Sequence, residues 1–424
     1  VMRAAAFLYP WDVVGDPRAP ERLAELGVGH AVLASAYHST RALTPRHPAR
    51  RVVTARHAAV LYPPDPARWA AHRLRPYPQD WVPADDPRGA YAQAARALAA
   101  AGVEVHSWVV LAHNSRLGEE HPHIAVRNAY GDRYPWAPCI ARPEVRGYAV
   151  TLAAEAAVRP GSGTRGTELE SCGWYGLAHL HAHDKTAGVA LGGAGQYLMS
   201  LCFCEVCEEG YAGLGADPDA LRAAVREALE PLWRGARAAP DGAPGGAPGG
   251  AAPGGVREAE RAAIEELLGA GRAGLFAAWR EEAARRLQRE AVAAVRAEAA
   301  REAADPGFRV LLHADPAPHR TGANAGTDPG DVLAHADGVV VPCAPGPRGA
   351  PERAEALGLF AARRRPGTGV LAANFPVVSG MGGSPHTLAE DAAHARALGA
   401  DELRVYHAGL ASDSDLEAVR AALA

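Results

Sequence analysis

Short apolar runs recur along the chain, at residues 4–9, 29–36, 103–112, 166–171, 308–314, 338–343, 368–375 and 402–407. Runs such as FRVLLHA, GVVVPC and TGVLAANF show little period-two alternation, the pattern of strands buried on both faces. Helix-compatible stretches separate them, at 90–101, from Pro143 onward, and at 351–364, 384–398 and 413–424. Pro143 suits a first helical turn, where a missing N–H costs nothing. Eight strand–helix units predict an α/β fold, a closed (β/α)8 TIM barrel spanning residues 1–424 as one unit. A doubly wound open sheet is the competing architecture. No GxGxxG follows the first strand, which counts against a dinucleotide fold. A further apolar run at 58–62 is expected in the loop after the second strand.

Between strands four and five the pattern changes. Residues 212–304 predict a helical insertion, with one helix over 221–234 and a long one over 256–304, broken near 269–274. Opposite charges at i,i+4 support the long helix. Its expected place is the barrel exterior, with a homodimer formed through the insertion as the alternative. The Gly-, Pro- and Ala-rich stretch at 235–255 is expected to be a disordered loop.

Composition narrows the function classes. A net charge of −4 argues against nucleic-acid and anionic-membrane partners. There is no run of 18 apolar residues and no convincing secretory leader, so the expected compartment is the cytoplasm. Aromatic residues are only 6% of the chain, yet 11 of 12 Tyr and six of eight Trp lie in the first 211 residues. Flat rings beside polar donors suit an amphipathic ring such as a sugar, so a small carbohydrate is the expected ligand. A satellite core beneath Pro-rich loops would draw on the same residues.

In a barrel of this type the chemistry sits where strands end. Those ends carry Trp11 and Asp12, Tyr37 and His38, His113 and Asn114, Glu168 and Glu170, His313 and Asp315, Cys343, Asn374, and Tyr406 and His407. Glu168 and Glu170 are two apart and share one face of strand four. Two carboxylates there repel each other and lose solvation, which drives one to hold a proton, as a general acid requires. Glu170 lies nearer the mouth and is the candidate acid; Glu168, one layer deeper, could instead bind a buried Arg or Lys. Asp315 is the candidate second carboxylate, with Asp12 and Asp184 as rivals. Trp11, Asp12, His38, His113, Asn114, Trp174, His183, Lys185, Asn374 and His407 are the candidate substrate-binding residues. His179, His181 and His183 alternate without the HExxH spacing of a zinc helix, so a polar substrate loop is the better reading. Cys202, Cys204 and Cys207 stand close enough in sequence to hold structural zinc. A fourth ligand is missing locally, with Cys172 or one of His179–His183 available to supply it. Buried free thiols are the competing reading.

With these residues in view, the chain resembles (β/α)8 glycoside-hydrolase-like proteins, and in particular an uncharacterised actinobacterial group with a CFCxxC cluster. The likeness rests on LES at 169–171, CFCEVC at 202–207 and the block beginning HNSRLGEEHPH at 113. It implies a glycoside hydrolase acting on a small glycoside or oligosaccharide, with an acid/base carboxylate after strand four and no cofactor required for the chemistry. Many such barrels also carry a carboxylate nucleophile after strand seven, where this chain has Asn374. That departure keeps two alternatives open: a metal-dependent hydrolase or lyase at the barrel mouth, and a non-catalytic carbohydrate-binding barrel.

Overall fold

The computed structural model describes residues 2–158, 163–179, 184–237, 255–302, 304–365 and 367–424. Eight parallel strands close into a barrel: β1 (Arg3–Leu8), β2 (His30–Tyr37), β3 (Glu104–Val110), β4 (Thr164–Glu170), β5 (Arg309–Asp315), β6 (Gly338–Pro342), β7 (Val370–Pro376) and β8 (Glu402–Tyr406). Closure is made by β1, which pairs with β8 through Ala5 and Arg404 and with β2 through Ala6 and Ala31. All eight apolar runs read from the sequence are barrel strands. The run near 60 is a two-residue strand, Ala59–Val60, pairing antiparallel with the end of β2 and outside the barrel.

Small residues let helices approach the strands closely. Helix Pro143–Val158 ends with two carbonyls, of Ala156 and Ala157, that accept from Ser35 Oγ on β2 at 2.8 Å and Ser107 Oγ on β3 at 3.0 Å. Carbonyls at a helix C-terminus have no intrahelical partner, so these serines both satisfy the helix end and seat it on the sheet.

The region between β4 and β5 is helical: Gly192–Met199, Glu205–Gly213, Pro218–Trp233, Val256–Leu268 and Ala270–Arg301. The break in the long helix falls at Gly269, whose φ of +76° is the left-handed conformation that glycine adopts without a Cβ penalty. The 32-residue helix lies against Pro143–Val158 on the barrel exterior, where Arg146 pairs with Glu290 at 3.1 Å. Most of the stretch expected to be a disordered loop, residues 238–254, lies outside the described residues. Among the described residues no helix is long and apolar enough to cross a membrane.

Inward-facing residues form three storeys. Phe7 sits in the middle, with ring contacts to Trp108 at 4.8 Å, Tyr406 at 5.3 Å and His313 at 5.6 Å. Leu311, Val340 and Ala372 pack together as a small apolar group separate from the main core that contains Phe7. This middle divides an aromatic mouth at the strands' C-terminal ends from a charged floor at their N-terminal ends.

Candidate active site and cysteine centre

Glu170 ends β4 and is 7% exposed. Trp108 Nε1–H donates to its Oε2 at 2.7 Å, and His313 Nδ1 stands 3.9 Å from the same oxygen. Tyr37, Tyr175 and Tyr406 surround it: burial raises all three phenols above their ordinary value, and the charge on Glu170 adds to this, at Tyr37 after the larger effects of Tyr406 and Tyr9. Tyr9 O–H donates to Tyr37 Oη at 3.0 Å, which fixes the ring behind them.

Glu168 proves to be the buried partner of an arginine. Arg404 Nε donates to one of its oxygens at 2.6 Å and His313 Nε2 to the other at 3.0 Å. Burial alone would raise its pKa, but Arg404 and His313 hold it down at about 2. The two glutamates of TELES therefore sit in different surroundings, one anchored by an indole at the mouth and one ionised in the interior.

Asp315 occupies a place that the sequence did not suggest. Arg257, from the helical region, donates to both of its oxygens at 2.9 Å, and Arg320 and the Ala317 N–H add further bonds. Burial opposes ionisation, yet Arg257 and Arg320 keep Asp315 below the usual carboxylate range. Glu352 and Glu355 also bind Arg257, so Asp315 belongs to an ion network that docks helix Val256–Leu268 on the barrel.

The other candidate residues divide into two groups. A continuous band of rings runs from β2 across the loops after β3 and β4. Tyr37 stacks on His38 at 4.1 Å, His38 meets His113 at 5.2 Å, and Tyr175 stacks on His113 at 4.2 Å. His179 joins His113 to Trp136. Burial, with His38 and His179 nearby, lowers the His113 pKa to about 3, so it is a neutral ring at physiological pH. Asn374 is half-buried at the end of β7, and its Oδ1 has no partner.

The second group has structural work instead. Trp11 is 1% exposed and stacked on Tyr9, so it is no open platform. Trp174 donates its indole N–H to the Arg280 carbonyl, and the Arg280 guanidinium covers its ring at 4.7 Å. Asn114 caps helix Ser115–Glu120 by accepting from the Leu117 N–H at 3.0 Å. His407 is fully buried, accepts from the Gly409 N–H at 3.1 Å, and is pushed down to about 3 by burial. Asp12 accepts from the Tyr9 N–H at 2.8 Å and is pushed up to about 7, chiefly by burial. Lys185 is exposed, and His181 and His183 lie outside the described residues. Two small clefts are present, one lined by Asp12 and Arg46 and one lined by Tyr37 and His113.

The cysteines form a closed centre. Cys202, Cys204 and Cys207 gather with Cys139, all four buried, with every sulfur within 4.8 Å of the others. Among the described residues the fourth member is Cys139 rather than Cys172 or His179, placed by the hairpin that precedes helix Pro143–Val158. Its only sequence signal was a lone cysteine in WAPCIARP, about 60 residues from its partners. Cys139 lies 3.6 Å from Cys207 and 3.7 Å from Cys204. Four thiolates at about 2.3 Å from zinc stand about 3.8 Å apart in a tetrahedron, so the set fits that ion. Hydrogen bonds from the other thiols, Cys139 first, hold Cys204 far below the usual thiol value, while burial raises Cys139 and Cys207. Arg142 beside Cys204 and Cys139 offers compensating positive charge. A four-sulfur site has no open position, so its metal would clip the loops after β3 and β4 together and perform no reaction.

No protein-family model and no curated protein matches the chain. Solved structures do share its fold. The catalytic domain of β-amylase from Paenibacillus polymyxa superposes with a TM-score of 0.54 at 11% identity, covering 99% of this chain and 97% of that one. Alpha-L-fucosidase isoenzyme 2 from Paenibacillus thiaminolyticus gives 0.52 at 12% identity, and β-galactosidase from Marinomonas ef1 gives 0.52 at 8%. Both matches cover 100% of this chain, but the chain spans only 49% of the fucosidase and 59% of the galactosidase. The chain thus has the closed barrel architecture found in several distinct glycoside hydrolases, together with a four-cysteine cluster able to hold a metal.

Proposed function

We propose that the protein is a glycoside hydrolase acting on a small glycoside or oligosaccharide, with Glu170 as the acid that protonates the leaving oxygen. The observation that carries this reading is the setting of Glu170: a carboxyl at a strand's mouth end, anchored by Trp108 and ringed by Tyr37, Tyr175 and Tyr406. A low-dielectric aromatic wall with one fixed carboxyl suits protonation of a glycosidic oxygen beside a stacked sugar. The band of His38, His113, Tyr175 and Trp136 supplies that stacking surface, and Asn374 offers an unpartnered amide oxygen to a hydroxyl. Asp315, bound to Arg257 and Arg320, suits an anchor for the helical region better than a base.

That engagement of Asp315, with Asn374 at the end of β7, favours a second reading, a barrel that binds sugar without turning it over. Aryl glycosides of common hexoses and pentoses separate the two readings. Turnover by the wild type that falls about 10²–10⁴-fold in Glu170→Gln, with unfolding unchanged, supports the hydrolase. Calorimetric binding of the free sugar without turnover supports the binding barrel. Turnover unaffected by Glu170→Gln removes Glu170 from the mechanism.

A further inference from the structure

The barrel floor holds a second cluster with metal-ligand chemistry. His30 opens β2, His106 lies on β3 and Glu168 on β4, and all three are 0% exposed. One donor atom from each falls within 4.8 Å of the others, and the two imidazoles face each other with centroids 4.3 Å apart. Both ring nitrogens of His30 and Nδ1 of His106 are buried without a hydrogen-bond partner. Orphaned buried nitrogens are costly, and three in one place call for an occupant.

The surroundings orient these groups as a metal site requires. His106 Nε2 donates to Glu104 Oε1 at 2.9 Å, which leaves its Nδ1 lone pair facing inward. A carboxylate behind a histidine in this way fixes the ligating tautomer. Arg404 and His313 fix the Glu168 carboxylate. Gly166 makes room: a Cβ there would lie 2.8 Å from His106 Nδ1. Burial first, then Arg404 nearby, lowers the His30 pKa, so it presents a neutral ring.

We propose that His30, His106 and Glu168 bind a divalent transition-metal ion of the zinc class in the barrel floor. Imidazole with carboxylate favours such ions over calcium or magnesium. The neighbouring cations are already matched: Arg404 by Glu168 and Glu402, Arg309 by Glu402, and Arg3 by Glu104. Water or hydroxide completing the ion's shell would also offer an acceptor to Arg404, whose Nη2 has no partner. The ion would rivet β2, β3 and β4 together at the end of the barrel opposite the cysteine clip. Ordered water between the same nitrogens is the competing occupant.

The inference does not depend on the glycosidase reading, and its test needs no substrate. Metal-stripped full-length protein is equilibrated with Co²⁺ alone and analysed for bound metal and by absorption spectroscopy. Two ions per chain are expected, one with strong sulfur-to-cobalt charge transfer and one without it. The double variant Cys204→Ser/Cys207→Ser should lose the charge-transfer band and keep one ion with a nitrogen and oxygen shell. Glu104→Gln, which removes only the group behind His106, should weaken that second ion about 10–100-fold and leave the sulfur-bound ion unchanged. One sulfur-bound ion in the folded wild type, with none left in the double cysteine variant, would overturn the proposal and assign the floor to water.

Discussion

The two ends of the barrel are built from the same eight strands but stabilised in opposite ways. At the mouth, Tyr9, Tyr37, Trp108 and Tyr406 crowd one carboxylate, and the polar contacts are few and local. At the floor, Glu104, Glu168 and Glu402 interleave with Arg3, Arg309 and Arg404 in an ionic lattice, fully buried at Arg404 and Glu168 and partly exposed at Arg3 and Glu104. Phe7 packs between the two ends, and His313 spans the gap, bonded to Glu168 through Nε2 and 3.9 Å from Glu170 through Nδ1. The difference teaches that burial has separate consequences at each end. Where arginines are within reach it locks carboxylates in one ionised state, and at the mouth it leaves Glu170 held by an indole N–H, with the His313 ring 3.9 Å away as a titratable partner.

The sharpest way to break this contrast is Arg404→Met. It leaves buried Glu168 with His313 alone and Glu402 with Arg309 alone, so unfolding in urea should show a loss of about 3–5 kcal/mol or no folded protein at all. Adding Glu168→Gln should recover part of that loss, since the offending charge is then removed.

Asp12, on the mouth side, tests the opposite behaviour. Its carboxyl is raised from 3.8 to about 7 by burial, so the folded state holds a proton that the unfolded state releases between those values. Stability from this group is fully present below about pH 4 and is lost as pH rises to about 7. Asp12→Asn should flatten that fall, gaining roughly 3–4 kcal/mol at pH 8 relative to the wild type, read from urea midpoints across a pH series. An unchanged slope would mean that Asp12 is solvated in solution.

The cysteine clip gives a smaller and more local effect. Cys204→Ser/Cys207→Ser should raise hydrogen exchange in residues 125–139 and 199–213, lowering local opening free energies by about 2–3 kcal/mol. Amides of β2 and β3 at the floor should keep their protection. Spread of the change to the floor would show that the two ends are coupled.

Trp108→Phe is the mildest test. It removes the donor to Glu170 Oε2 and leaves the ring in place, so stability should fall by about 1–2 kcal/mol in urea. Any glycosidase activity should fall with it, through kcat more than KM, because the carboxyl loses its orientation.

Local chemistry made most of the architecture legible. Eight apolar runs without alternation, Pro143 at a helix start and Gly269 at a helix break are decided by backbone sterics and by burial of both strand faces. Glu170 could be placed at a strand end for the same reason, and part of the aromatic excess of the first half, Tyr37, Trp108 and Tyr175, lies around it, while Tyr91, Tyr148, Tyr197 and Tyr211 lie in helices. Cys139, Arg257 and Arg404 could not be found that way. Each acts across a large sequence separation: Cys139 on Cys207 over 68 residues, Arg257 on Asp315 over 58 and Arg404 on Glu168 over 236. In the sequence Asp315 is the candidate second carboxylate, base or nucleophile, at a strand end, and Trp11 and Trp174 are candidate platforms. Only packing showed two arginines on the first and closed surroundings on the other two. The sequence by itself determined which segments become strands and helices, because that choice depends on neighbours a few residues away. The tertiary structure alone decided which charges are paired, which rings are open and where four sulfurs meet, because those depend on distances that barrel closure sets.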